Sequence, residues 1–323
     1  MARVYHRDQA GAPQSPSTNT RAADFSYFKS ILIACLVDGY GAIEPAGWDL
    51  IANDAAHVVL RSPTSGAYAC FAMVGSSAGI VMSLSATYSG VSNGVVVGDG
   101  AKSGVAAGNT LLQRATVLYL AAQSASSSWY LVGDERTFIF SFAGNATNSS
   151  PVELISTNPQ FSNSFLGTLY CGEDANGNFI TCGGLNHGSS ELWDAFGLGF
   201  TSLMDPATGF LVGSGALSVS MLGIEAIISV PLNLAGVVSQ CNLSPMAWFS
   251  GGVYGRFRGM CIDIVLKDQY VSAAAKALGR AAGITTRTLN STIDLGDQWK
   301  YFCAAKYFNR GATFLVTDNE DFW

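Results

Sequence analysis

The chain has 323 residues, 49% of them hydrophobic and only 12% charged, with a net charge of −6 and a pI near 5.0. That length predicts two or three modules or one elongated β-rich body, and the sparse charge favours burial against partners over an isolated monomer. The acidic balance and the lack of any Lys/Arg cluster exclude the electrostatic footprint of nucleic-acid binding, and 36 glycines exclude an all-helical fold.

Residues 1–24 are polar and lack the apolar segment of a secretory signal, which predicts a flexible N-terminal arm that orders only on contact with neighbours. "FSYFKSILIACLV" (25–37) has apolar positions at helical spacing and predicts a short helix stopped by Asp38-Gly39. After "EPAGW" come "HVVLRS" and "AYACFAMVG", two β-type runs around Ser-Pro-Thr-Ser-Gly, a hairpin. Strands then alternate with Gly/Ser turns over 80–123. The segment 126–144 reads as two strands around the charged turn Asp134-Glu135-Arg136, with Trp129 and Phe138 among their aromatics.

In "TLYCGEDANGNFITCGG", Asn176-Gly177 predicts a two-residue turn that sets Cys171 opposite Cys182 at a hydrogen-bonded position. There a disulfide is disfavoured and two free thiols on one face are expected. Asp174, Asn176 and Asn178 resemble the start of a calcium loop, but no closing acid follows at the required distance, so the segment reads as a hairpin tip. The stretch 209–238 is long and apolar with Glu225 at its centre, and it fits buried strands better than a membrane helix. Farther on, "VSAAAKALGRAA" predicts a helix, and the final "ATFLVT" an edge or closing strand.

The expected organisation is an arm at 1–24, a β-rich module with a leading helix at 25–145, and a β-rich module with a long apolar insertion at 146–323. The fold class is mainly β, sandwich- or barrel-like with hairpins, plus a few short helices.

Candidate chemistry is thin. The seven cysteines form no C-x-x-C and sit mostly in apolar runs, which predicts free buried thiols, a reducing cytoplasm and no structural zinc. "GSSAG" (75–79) matches the G-x-S-x-G pattern around Ser77. Its histidine would have to be His187, with Asp134 or Glu173 as orienter, and the following "IVMSLSATY" is not a helix former. His6, His57 and His187 are too scattered to build a metal site. "GDGAKSG" (98–104) lacks phosphate-loop spacing. The carboxylates Asp134-Glu135 and Asp318-Glu320-Asp321 read as solvated turn charges. No cofactor, metal or catalytic residue is expected.

Three blocks then carry a resemblance. "KSILIACLVDGYGAIEPAGWDLI…HVVLRS", "SSSWYLVGDERTFIFSF" and "GRFRGMCIDIVLKD…ATFLVTDNEDFW" resemble, in the same order, the signatures of a family of tailed-bacteriophage virion structural proteins. The family's patterns are V-D-G-Y-G with A-G-W, W-x-L-V-x-D-E-R-T-F, R-x-R-G and a terminal T-x-D-x-W. The apolar text at 76–125 and 185–250 departs from that family's more polar spacers. The resemblance implies a non-enzymatic virion protein of the tail tip or baseplate, made in the host bacterial cytoplasm. Its partners would be copies of itself and other virion proteins, without nucleic acid or membrane insertion. A receptor-binding module contacting a host surface receptor, and a capsid decoration or neck protein, are the alternatives.

On physical grounds "VDGYGAIEPAGW" reads as a structural corner made of Asp38, Gly39, Tyr40, Gly41, Pro45 and Trp48. The glycines supply backbone freedom, Pro45 fixes the approach, and Trp48 fills the gap between helix and first sheet.

Overall fold

The computed structural model describes residues 1–14, 21–73, 80–99, 116–118, 128–144, 165–183, 202–204, 243–250, 253–264, 295–303 and 312–323. The chain opens with β1 (Arg3–His6), α1 (Arg21–Ile33) and a π-helical turn at Ala34–Asp38. Then come β2 (Asp49–Asn53), β3 (His57–Arg61), β4 (Tyr68–Met73), β5 (Ile80–Ser85), β6 (Gly90–Ser92), β7 (Val95–Val97) and β8 (Thr116–Leu118). The middle of the chain forms β9 (Ser128–Gly133), β10 (Thr137–Gly144), β11 (Phe165–Glu173), β12 (Phe179–Gly183) and β13 (Ser202–Met204). The last strands are β14 (Leu243–Ser250), β15 (Val253–Ile264), β16 (Tyr301–Cys303) and β17 (Ala312–Thr317). The protein is mainly β, as its glycine and β-branched content predicts.

These strands form a six-stranded sheet β1-β9-β10-β11-β12-β13, a five-stranded sheet β2-β3-β4-β5-β8, a four-stranded sheet β14-β15-β17-β16 and the small β6-β7 hairpin. All the pairings are antiparallel. The six-stranded sheet is the middle layer. Alternate residues Leu131, Phe138, Phe140, Leu169, Cys171 and Phe179 enter one core with α1 and the five-stranded sheet. Their neighbours point the other way, where Tyr130 stacks on Phe302 at 4.6 Å and Tyr170 meets Phe257 edge-on at 4.9 Å. A sheet buried on both faces needs apolar side chains at nearly every position, which explains the unbroken runs "WYLV" and "FIF".

The main core is pinned by Phe28 of α1. Its ring lies 5.4 Å from Phe71 of β4 and 5.4 Å from Phe140 of β10, edge-on to both, so one side chain ties the helix to two sheets.

Several expectations need correction. Residues 3–6 are not part of an arm: β1 pairs with β9, and Tyr5 is fully buried. Their strand partners lie more than a hundred positions away, which local polarity cannot reveal. The boundary at 145/146 falls inside the six-stranded sheet, where β10 pairs with β11 along its whole length. The helix starts four residues before Phe25, at Arg21, since its first turn carries no apolar periodicity. "ATFLVT" is an interior strand, with β15 on one side and β16 on the other.

In the β11–β12 hairpin, Cys171 faces Thr181, and Cys182 faces Tyr170. The loop spans five residues, because the Asp174 carboxylate accepts hydrogen bonds from the N–H groups of Asn176 and Asn178 at 2.8 Å each. That ring of bonds is the hairpin tip, and it displaces the two-residue turn. Cys171 is a free buried thiol, as are Cys35 and Cys70, and Cys261 is buried too. Ser77, His187, the stretch 209–238 and the helix expected at 271–282 lie outside the described residues.

Burial pushes the Cys70 thiol up to about 12 from its ordinary 9.0, and raises Cys35 and Cys171 as well. The folded state therefore holds the Cys70 proton longer than the unfolded chain does. Its contribution to stability is complete below pH 9.0 and is lost as pH rises towards about 12. Urea midpoints measured across that range are expected to fall more steeply for the wild type than for Cys70→Ala.

Candidate functional site

The charged turn between β9 and β10 is where the three large sheets meet. Asp134 shapes it locally: its Oδ1 accepts from the N–H groups of Arg136 and Thr137 at 3.0 and 2.9 Å, while its own N–H donates to Thr137 O at 2.9 Å. Gly133 precedes the turn because a Cβ there would come within 2.9 Å of the Phe138 Cβ.

Arg258 of β15 enters from the four-stranded sheet. Its Nη2 donates to Asp134 Oδ2 at 2.6 Å and its Nη1 to Asp134 Oδ1 at 3.1 Å, a two-pronged ion pair whose side chains are only 7% and 6% exposed. Nη1 also donates to Thr137 Oγ1, and that hydroxyl donates onward to Glu173 O at 2.6 Å. Tyr170 donates to the same carbonyl at 2.7 Å and accepts from the Arg258 N–H at 3.2 Å. The Glu173 carboxylate is held by the Arg136 guanidinium. Buried charge is tolerated only when paired and hydrogen-bonded, and here the pair is fully surrounded by partners.

The C-terminus completes the enclosure. The Arg258 guanidinium lies 5.3 Å from the Trp323 ring, and the Trp323 Nε1 donates to Thr317 O at 2.6 Å. Gly259, with φ +65°, is required by this contact, since a Cβ there would sit 2.3 Å from the Trp323 ring.

The five-stranded sheet reaches the same turn through the corner. Trp48 Nε1 donates to Asp134 O at 2.8 Å and Ser62 Oγ to Glu135 O at 3.1 Å. The Trp48 ring, 3% exposed, packs edge-on against Phe138 at 5.2 Å and near Phe179 at 6.4 Å. Trp48 thus fills the junction with the six-stranded sheet, in the one core that also holds α1 and the five-stranded sheet.

The rest of the corner closes the helix end. Ala46 N–H donates to Cys35 O, and the N–H groups of Gly47 and Trp48 both donate to Leu36 O, which satisfies carbonyls that the end of a helix leaves open. Gly39 (φ +77°) and Gly41 (φ +59°) admit close backbone approach: a Cβ would lie 2.6 Å from Ile43 O in one case and 2.4 Å from Ala10 O in the other. Tyr40 pairs with Ile43 and Pro45 O accepts from Arg3 Nη1 at 2.6 Å, while Asp38 is exposed at the end of the π turn.

Chemically the site is closed. The two carboxylates considered as partners for Ser77, Asp134 and Glu173, are each held in an ion pair with an arginine. The Ser77 segment links β4 to the antiparallel β5, whereas a nucleophile elbow needs a helix after the turn. His57 Nδ1 lies 3.1 Å from Asp54 Oδ2 in the β2–β3 turn, and His6 stands apart on β1. Among the described residues no group of His, Cys, Asp and Glu is disposed to hold a metal ion.

Arg258, Tyr170 and Thr137 were not singled out from the sequence. The available signal was an arginine inside an apolar strand run, "RFRGMCIDI", which demands a buried partner. Comparison with protein-family models and with curated proteins finds no match.

Two measurements check the junction. Trp48→Ala removes a filled volume between sheets and is expected to cost about 3–5 kcal/mol in urea denaturation. Arg258→Met strands the Asp134 carboxylate without its cation and is expected to cost about 3–5 kcal/mol, with part of that loss recovered by adding Asp134→Asn. A loss from Arg258→Met below about 1 kcal/mol, the level of an exposed pair, shows that the junction holds nothing.

Proposed function

We propose that this chain is a non-enzymatic structural component of a tailed-bacteriophage virion, placed at the tail tip or baseplate, which acts by assembling with copies of itself and with other virion proteins. The observation that carries the reading is the convergence of the resembling blocks. Trp48 from A-G-W, Asp134, Arg136 and Thr137 from D-E-R-T, Arg258 and Gly259 from R-x-R-G, and Thr317 and Trp323 from the terminal block all meet in one junction. Blocks separated by long stretches of chain are thus one physical unit, and its purpose is to hold sheets together. That suits a protein whose usefulness lies in shape.

Composition supports the same reading. With 12% charged residues overall, Asp134, Glu173, Arg258 and Lys29 are buried, so even fewer charges remain outside. A β-rich body with sparse surface charge is suited to packing against neighbours.

The test is to locate the chain in purified particles of the phage that encodes it, by antibody labelling and cryo-electron microscopy. Density and label at the tail tip are expected. Absence from particles, or covalent labelling of Ser77 by a serine-directed probe, overturns the proposal. Label on the head or neck moves it to a decoration role, and direct binding of the purified protein to host cells moves it to receptor binding.

A further inference from the structure

Among the described residues β1 is the outermost strand of the six-stranded sheet, so one of its edges faces away from the ladder. Its pairing decides what that edge presents. Arg7 N–H donates to Trp129 O at 3.2 Å, and the register continues with Tyr5 opposite Leu131 and Arg3 opposite Gly133. Alternation in an antiparallel pair then turns the backbone groups of Arg3 and Tyr5 towards β9 and those of Val4 and His6 outwards. Outward groups of this kind are a template for another strand.

Gln9 takes three of the four. Its Oε1 accepts from His6 N–H at 2.8 Å, its Nε2 donates to Val4 O at 3.1 Å, and its backbone N–H donates to His6 O at 3.1 Å. A carboxamide offers the same donor and acceptor as a peptide group, so the Gln9 side chain occupies the place of a residue in an adjacent strand. It is itself anchored, because the hydroxyl of the buried Tyr40 donates to the same Oε1 at 2.5 Å.

We propose that Gln9 is a built-in plug that holds the β1 edge closed against strand addition by a second copy of this chain. A second copy is the fitting occupant because the edge is complementary to itself. With two β1 strands antiparallel about Tyr5, Val4 of each copy faces His6 of the other, and every outward donor meets an acceptor. Gln9 must leave both edges before that ladder forms.

The test compares the full wild-type chain with Gln9→Ala by amide hydrogen exchange and sedimentation velocity over a range of concentration. At low concentration the variant's His6 amide is expected to exchange at least about tenfold faster than in the wild type, as its acceptor is gone. At high concentration the variant is expected to form larger species than the wild type, with protection returning at His6 and appearing at Val4. Gln9→Glu keeps the acceptor for His6 and loses the donor for Val4, so its behaviour is expected to be intermediate; it also serves if the alanine variant does not fold. Unchanged exchange, faster exchange without larger species, or larger species without protection at Val4 and His6 each overturns the proposal.

Discussion

The bond between Asp134 and Arg258 constrains everything around it, because two charges withdrawn from water must find their whole complement of partners in the protein. Asp134 therefore cannot merely sit in a turn. One oxygen shapes the backbone of Arg136 and Thr137, and both oxygens receive the guanidinium. Arg258 in turn needs Thr137, Tyr170 and the face of Trp323. Each partner belongs to a different stretch of chain, so satisfying one ion pair fixes the relative positions of β10, β11, β15 and the C-terminus. The glycines follow from the same requirement. Gly172 lies where a Cβ would come within 2.3 Å of Arg136 O, and Gly259 where it would enter the Trp323 ring.

A middle sheet with both faces covered has few ways to be oriented by hydrophobic contact alone, since apolar packing is non-directional. Direction comes from the ends of elements. The carbonyls of Cys35 and Leu36 fix where the corner passes, the corner fixes Trp48, and Trp48 donates to the Asp134 carbonyl. Tyr5, from the first strand, donates to Glu44 O on the same corner at 2.9 Å. Helix end, corner, first strand and charged turn are thus linked by hydrogen bonds to backbone carbonyls, while Phe28 and its aromatic neighbours supply the bulk.

What the sequence disclosed was whatever is decided locally. The β3–β4 and β9–β10 hairpins, the helix stop at Gly39 and the glycine freedom of the corner depend on residues a few positions apart, and each stands where its pattern predicted. The β11–β12 register was missed by one residue, although that too is local. Asn176-Gly177 signals a tight turn, and Asp174 overrides it by binding two backbone N–H groups of its own loop. Non-local facts were out of reach. Nothing in "RVYH" announces a strand whose partner begins at Ser128, and no pattern in "ATFLVT" tells an interior strand from an edge. The junction was half legible: most of its residues fall in the three resembling blocks, but Tyr170 and Glu173 lie outside them, and that Asp134 and Arg258 meet is knowledge of topology.

Edges and faces divide the labour of association. A sheet grows by its edges without choosing a partner, because every backbone offers the same groups, whereas faces discriminate by side-chain shape. On the virion reading proposed above, a subunit present in many copies must join its neighbours by faces and avoid joining them by edges at random. The first strand meets that need. Gln9 occupies three of its four outward backbone groups, and Arg3 is drawn to Glu44 at 2.9 Å, which leaves that margin polar and largely bonded. On that reading the sparse overall charge, 12% of residues, and the occupied edge serve one end, which is association by faces.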